Sequence, residues 1–270
     1  METNPKISVL MTAYNAERFV AEAITSIINQ TFADWEFVII DDASTDKTWG
    51  IIQSFIVQDE RIRVLRNDVN QGIFPNRNHL VNEARGKYIV WQDTDDVSLP
   101  HRLALQYSYM ESHPPVGIAG GSLEVFDENG IKGIRRYPLT DNEIRKKIFR
   151  YAPCAEPAVI IRKECLLAMG GYGTISPVAE DLALAFRLGQ KYEFGNLPDI
   201  LIKYREHSAN STHMHLRLME LYTIFLRYRF HNDGYQMTWS DKIYNFCQYS
   251  LIFIVPAKWK IALFNRMRNN

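Results

Sequence analysis

Asp93-Thr94-Asp95-Asp96 places three carboxylates within four residues, between the apolar run Tyr88-Ile89-Val90-Trp91 and a segment led by Pro100. Ionised carboxylates this close repel one another, and a divalent cation relieves that repulsion. Mg²⁺ and Mn²⁺ take such oxygen ligands octahedrally and commonly share them with phosphates. The competing reading is an acidic turn capping the next helix, since Asp suits both turns and caps. Asp41-Asp42, at the end of the apolar run Phe37-Val38-Ile39-Ile40, is a second acidic pair. Adjacent carboxylates there are costly unless donors bind them. A nucleotide would supply a base N–H to a carboxylate and a ring for an aromatic side chain such as Tyr14 to stack on.

These residues need elements that bring them together. Ile7–Met11, Phe37–Ile40, Ile62–Leu65 and Tyr88–Trp91 are short, nearly continuous apolar runs, the pattern of parallel strands buried on both faces. Between the first two, Phe19, Val20, Ala23, Ile24, Ile27 and Ile28 recur at helical spacing, with Asn15 as candidate cap. Asp46 is the candidate cap of a helix bearing Trp49, Ile52, Phe55 and Ile56. A further helix through Leu80, Val81 and Ala84 is expected to end at Gly86. The alternation predicts a doubly wound α/β unit whose crevice lies at the carboxyl ends of the strands. Thr12 to Asn15, Asp41 to Asp46 and the acidic triplet should therefore converge. Downstream, Val116–Gly120 reads as a strand and Leu123–Phe126 with Ile131–Tyr137 as a hairpin, which makes the sheet mixed.

Bulk properties narrow the class. At 46% hydrophobic and 23% charged residues, the 270-residue chain is ordinary globular material. Its formal net charge of zero gives no support to nucleic acid as a partner. Cys154, Cys165 and Cys247 are widely separated, lack metal-ligand spacing and leave an odd thiol, so they read as reduced thiols of a cytoplasmic protein. No targeting segment is visible, and Leu251–Val255 is too short to span a bilayer.

Five ordered segments carry a specific resemblance: Ile7 to Asn15, Ser26 to Phe32, Asp41 to Asp46, Asn70-Gln71-Gly72 with Arg77-Asn78, and Asp93 to Asp96. Together they resemble the family 2 inverting glycosyltransferases of the GT-A fold, a Rossmann-like, mostly parallel sheet flanked by helices. The resemblance implies a nucleotide-diphosphate sugar donor, commonly UDP-linked, and Mn²⁺ or Mg²⁺ as cofactor. It places Thr12, Tyr14 and Asp42 at the nucleobase, Asp93 or Asp95 at the ribose, Asp95 and Asp96 at the metal, and Arg77 near the nucleotide or its phosphates. Which of Asp95 and Asp96 binds the metal directly stays open at this stage.

Glu180-Asp181 opens an amphipathic helix, a position that the helix dipole alone would favour for carboxylates. In the family, such a pair follows Gly-Gly-Tyr, here Gly170-Gly171-Tyr172, and its Asp is the general base, which points to Asp181. Tyr204-Arg205-Glu206-His207-Ser208 resembles the family's Tyr-Arg-x-His segment. That implies metal or diphosphate contact for His207 and diphosphate recognition for Arg205. Glu156 stands where relatives often have His or Asn before Pro, as an acceptor contact or a solvated carboxylate. No Gln-x-x-Arg-Trp follows Asp181, so one sugar is expected per transfer rather than processive synthesis.

The expected organisation is a glycosyltransferase domain over 1–210, with a nucleotide-sugar half over about 1–100 and an acceptor half over about 101–210. A helical extension over 211–270 follows. Its Trp259, Ile261, Leu263 and Phe264, beside Lys258, Lys260, Arg266 and Arg268, form a candidate interfacial helix for anionic lipid, with a helix packed on the domain as the alternative. The acceptor is then a saccharide or lipid-linked saccharide in bacterial surface polysaccharide or glycoconjugate synthesis, met in the cytoplasm or at the inner face of the membrane. The oligomeric state is open. Two rivals stand: a sugar nucleotidyltransferase, whose Gly-rich basic phosphate loop is missing after the first strand, and a sugar-nucleotide-binding protein without catalysis.

Overall fold

The computed structural model describes residues 4–173, 178–207, 216–255 and 259–260. The first half alternates as the apolar runs require: β1 (Ile7–Ala13), α1 (Val20–Ile28), β2 (Trp35–Asp41), α2 (Thr48–Ile56), β3 (Ile62–Arg66), α3 (Ile73–Glu83) and β4 (Tyr88–Trp91). β3, β2, β1 and β4 lie side by side and parallel. Successive residues of β1 enter opposite layers, Val9 and Met11 packing toward α1 and Leu10 toward α3. Burial on both faces is why these strands read as continuous apolar runs.

The second half continues with β5 (Val97–Ser98), α4 (Arg102–Ser112), β6 (Val116–Asp127), β7 (Gly130–Arg135), α5 (Asp141–Lys147), β8 (Ile160–Arg162), α6 (Lys163–Ala168), α7 (Glu180–Gly189) and β9 (Glu193–Arg205). Among the described residues the sheet has nine strands in the order β3-β2-β1-β4-β8-β6-β9-β5, with β7 beside β6. β8 runs antiparallel to both β4 and β6, so the sheet is mixed beyond β4 as expected. The segments Val116–Gly120 and Leu123–Phe126 are one strand rather than two, joined through register shifts at Gly120/Ser122 and Ser122/Leu123. α8 (Leu216–Phe230) and α9 (Trp239–Ile254) complete the described chain. None of its helices is long and apolar enough to cross a membrane. Of the expected interfacial helix, only Trp259 and Lys260 fall among the described residues.

Two expected caps are placed differently. Asn15 does not cap α1, which starts after Phe19. Its side chain instead accepts the Thr45 amide at 2.9 Å, tying the β1 loop to the β2 loop. Gly86 does not end α3, which stops at Glu83. Gly86 serves a close approach, since a Cβ there would lie 2.5 Å from the Ser8 amide nitrogen. Asp46 does take a first-turn amide, that of Thr48 at 2.9 Å.

Candidate active site

The ends of β1, β2 and β4 bring Thr12, Tyr14, Asp42 and the acidic triplet to one crevice, at the point where the strand order reverses about β1. Tyr14 is 52% exposed, an aromatic face that the core does not use. Asp42 is buried and organises the next loop. Its Oδ1 accepts from Asn67 Nδ2 at 2.7 Å and the Gln71 amide at 2.8 Å, and its Oδ2 from the Gly72 amide at 2.9 Å. Burial opposes its ionisation, but hydrogen bonds from Gln71, Asn76, Asn67 and Gly72 outweigh that and hold its carboxyl below the usual range. A carboxylate offers about four lone-pair sites, and these four donors fix Asp42 and the loop that follows β3.

The triplet divides by environment. Asp95 and Asp93 are partly exposed, whereas Asp96 is 1% exposed. Asp96 Oδ1 accepts the Arg205 amide at 2.9 Å, and its Oδ2 is buried without a hydrogen-bond partner. Asp95 Oδ2 lies 2.8 Å from His207 Nε2, so the end of β9 delivers the imidazole to the carboxylate across 112 positions of sequence. Arg205 is committed within the fold. Its Nε donates to the Asp95 carbonyl at 2.9 Å, its Nη2 pairs with Glu22, and its guanidinium lies 4.5 Å from the Phe19 and Phe126 ring centroids.

Arg77 sits below the crevice, 3% exposed. Its guanidinium pairs with Glu156 at 2.5 Å and Glu180 at 3.5 Å, and lies over Trp91 and Tyr172 at 4.9 and 5.3 Å. The guanidinium thus joins Glu156 and Glu180 to the triplet, whose Asp93 also feels its charge. Asp181 follows Glu180 in the first turn of α7 and lines a cavity with Glu156, Cys154, Pro153 and Tyr172. Burial, then the neighbouring Glu180 and Glu156 charges, raise the Asp181 carboxyl to about 7. Burial likewise raises Glu156 to about 7, with Arg77 easing it and Asp93 and Glu180 adding repulsion. Asp93 is pushed to about 6 by burial and by Asp95, and Asp96 is pushed well up by burial and by Asp93. The residue before α7, Ala179, has a left-handed backbone at φ 59°, a costly conformation for a side chain with Cβ.

Sequence reasoning missed Arg102. This guanidinium is wholly buried beneath the triplet, donating to Ser98 Oγ at 2.9 Å, Gln106 Oε1 at 3.2 Å, and the Trp91 and Pro157 carbonyls, each at 2.9 Å. Burial lowers its pKa to about 9, and the Asp96 and Asp93 charges resist that fall. The signal was the helical face shared by Arg102, Leu103, Gln106 and Met110, all buried in α4.

A partly exposed carboxylate and an imidazole in contact suit Mg²⁺ or Mn²⁺, and the surplus of negative charge favours a cation there. Among the described residues no three His, Cys, Asp or Glu side chains are grouped to hold one. The fit is therefore a two-donor platform whose remaining positions need other oxygens.

The family model of glycosyl transferase family 2 matches residues 8–165, more than half of the chain and including the ends of β1, β2 and β4. The chain belongs to that family. This family 2 glycosyltransferase is 35% identical to the putative glycosyltransferase EpsE of Bacillus subtilis over 77% of its length and 76% of EpsE. It is 30% identical to the O-antigen biosynthesis glycosyltransferase WbnJ of Escherichia coli over 90% of its length and 95% of WbnJ. Its fold is that of Staphylococcus aureus TarS, solved in complex with UDP-GlcNAc, at TM-score 0.63 and 20% identity, covering 82% of this chain and 66% of that one. The mannosyltransferase PcManGT of Pyrobaculum calidifontis, solved with GDP-Man and Mn²⁺, aligns at TM-score 0.66 and 16% identity over 96% of this chain and 72% of that one. The GT-A architecture expected from the motifs is thus the one observed. Membership in the family removes the nucleotidyltransferase reading.

Proposed function

We propose that this glycosyltransferase moves one sugar from a UDP-linked donor to an acceptor hydroxyl with inversion, in bacterial surface polysaccharide or glycoconjugate synthesis. The observation that carries the reading is the grouping of two kinds of carboxylate around Arg77. Glu156 and Glu180 pair with its guanidinium, Asp93 from the triplet lies near enough to feel its charge, and Asp181 follows Glu180 in the first turn of α7. Tyr14 stacks on the base, Asp42 faces the base N–H, Thr12 lines the same end, and Asp93 holds the ribose. Asp95 and His207 would hold Mn²⁺ or Mg²⁺. Asp96 instead braces the Arg205 backbone from beneath. When bound, the cation supplies Lewis-acid stabilisation of the charge that gathers on the leaving diphosphate.

Asp181 is the base. Its carboxylate takes the acceptor hydroxyl proton as the new oxygen–carbon bond forms at the anomeric centre, while the bond to the diphosphate oxygen breaks and that oxygen keeps the electron pair. Attack opposite departure inverts the configuration. A base near 7 matches this task, since it is ionised at working pH yet basic enough to accept the proton. Single transfer is supported by the absence of Gln-x-x-Arg-Trp after Asp181. The UDP-GlcNAc bound by TarS supports the UDP donor, and the part of WbnJ in O-antigen biosynthesis supports a surface-polysaccharide setting.

The test is a nucleoside-diphosphate release and thermal-shift panel of UDP- and GDP-sugars with Mn²⁺. Stabilisation and turnover with a UDP-sugar are expected, and both should be lost with chelator. Response to GDP-sugars alone would overturn the donor reading. Turnover indifferent to chelator would overturn the cation's role.

A further inference from the structure

α9 is amphipathic the wrong way round. Its inner face carries polar groups: Asp241, 4% exposed, accepts from Arg150 Nε at 2.6 Å, and Asn245, 0% exposed, donates to the Phe149 carbonyl at 3.0 Å. Arg227 on α8 donates to Asn245 Oδ1 at 3.0 Å and Gln248 Oε1 at 2.9 Å. Its outer face is apolar, with Trp239 81%, Ile243 61%, Phe246 68%, Phe253 61% and Ile254 75% exposed. Positions 239, 243, 246 and 253 fall on one helical stripe, roughly 20 Å long at 1.5 Å per residue. A helix that spends its polar residues on the protein and presents aromatic and branched side chains outward is built for an apolar partner.

The charge pattern says which partner. From Lys242 to Asn270 the sequence has five basic residues (Lys242, Lys258, Lys260, Arg266, Arg268) and no Asp or Glu. Lys242 lies beside the stripe, its ammonium 5.5 Å from the Trp239 ring. Lys260 turns back to pair with Glu220 on α8 at 2.6 Å, which pins the start of the basic tail to the helix pair. A second copy of the chain would bring the same acid-free, cationic segment to the contact and be repelled by it. A bilayer with anionic headgroups offers an apolar interior for the stripe and negative charge for the lysines, with Trp239 suited to the headgroup boundary.

We infer that the outer face of α9 is a docking surface for an anionic lipid bilayer. The apolar stripe lies before the basic segment after residue 257 that the sequence alone singles out and shares its charge with it, and the inference holds whatever sugar the crevice transfers. It also reaches toward the site, because α9 is fastened to Phe149 and Arg150, and that loop runs on through Pro153 and Cys154 to Glu156. Docking would set the crevice beside the membrane, where a lipid-linked acceptor presents its hydroxyl.

The test is co-sedimentation of the full chain with vesicles of phosphatidylglycerol and phosphatidylethanolamine, against phosphatidylcholine vesicles. Binding to the anionic vesicles should be at least about tenfold tighter and should weaken with salt. Ile243→Glu with Phe246→Glu and Phe253→Glu should weaken it by about tenfold or more. A second measurement leaves the stripe intact. Cys247 is exposed beside it while Cys154 and Cys165 are buried, so an environment-sensitive fluorophore placed there should shift to the blue with anionic vesicles. Equal binding to both vesicle types, or no binding and no shift, would overturn the inference. So would a dimer that the triple substitution dissolves, in a chain that ignores vesicles, since that result assigns the face to a second copy.

Discussion

Asp181→Asn tests catalysis and electrostatics with one atom. Its surroundings raise the Asp181 carboxyl from the ordinary 3.8 to about 7, so at pH 8 the folded state holds an ionised group that they oppose. A gap of about 3 pK units corresponds to roughly 4 kcal/mol at 1.36 kcal/mol per unit. Water at the crevice mouth screens the Glu180 and Glu156 charges, and about half of that is the expected share. The sign follows from the raised pKa. Above pH 3.8 the unfolded chain releases the proton while the native chain keeps it, so stability falls as pH rises toward 7 and stays reduced beyond. Asn carries no charge in either state. The variant should therefore be more stable than the parent by about 2 kcal/mol at pH 8, a rise of roughly 4–8 °C in Tm. At pH 5, where the native carboxyl is largely protonated, the gain should be less than half as large.

Transfer should move the other way. Losing the base removes about 10²–10⁴ of rate, and the parent's kcat/KM should fall with decreasing pH on a limb near 7, because that ratio reports the free enzyme's base. Nucleotide affinity should be nearly unchanged, since Asp181 opens α7 rather than ending β1, β2 or β4, where the proposed nucleotide contacts lie. Differential scanning calorimetry at two pH values and a sugar-transfer assay decide the matter. Retained turnover would refute the base assignment. A Tm gain equal at pH 5 and pH 8 would refute the electrostatic account, since only a titrating group makes the difference pH-dependent.

Three further outcomes are expected. His207→Ala should raise the Mn²⁺ concentration for half-maximal activity by roughly tenfold or more, read by metal titration at fixed donor. Tyr14→Ala should weaken donor binding by about 1–2 kcal/mol, seen as a higher KM for the donor with kcat little altered. Arg102→Met should lower stability by roughly 3–5 kcal/mol in urea unfolding, because Asp96 and Asp93 lose a buried counter-charge and the Trp91 and Pro157 carbonyls lose donors.

The nucleotide half of the fold was legible because its signals are local. β1, β2 and β4 are nearly continuous apolar runs, broken within by Ser8 and Glu36, and each leads into polar residues that face a crevice. What could not be read was set by distant packing. β8 is three residues long and owes its place to β4 on one side and β6 on the other. β9 extends through Asn196 and Pro198, which no strand pattern favours, because β6 runs beside it over most of its length. Asn15 reads as a helix cap until the β2 loop is beside it. α9 misleads most, since amphipathic reasoning assigns its apolar stripe to the core, whereas Arg150 and Arg227 draw its polar side inward.

The acidic triplet also acquires a division of labour that its sequence conceals. Three carboxylates in a row look equivalent, but the turn after β4 points Asp96 into the protein, where the Arg205 amide and the buried Arg102 charge answer it. Asp95 is left at the surface beside His207. Bracing from below matters for the proposed cation platform, which has two donors among the described residues, because a weak site gains affinity chiefly from preorganisation. It follows that the cation should bind far more tightly with a nucleoside diphosphate than alone, since the diphosphate completes a shell the protein leaves open. Arg205 fits the same logic: its backbone holds Asp96 and its side chain holds the Asp95 carbonyl, so the strand that brings the imidazole also fixes the carboxylate it meets.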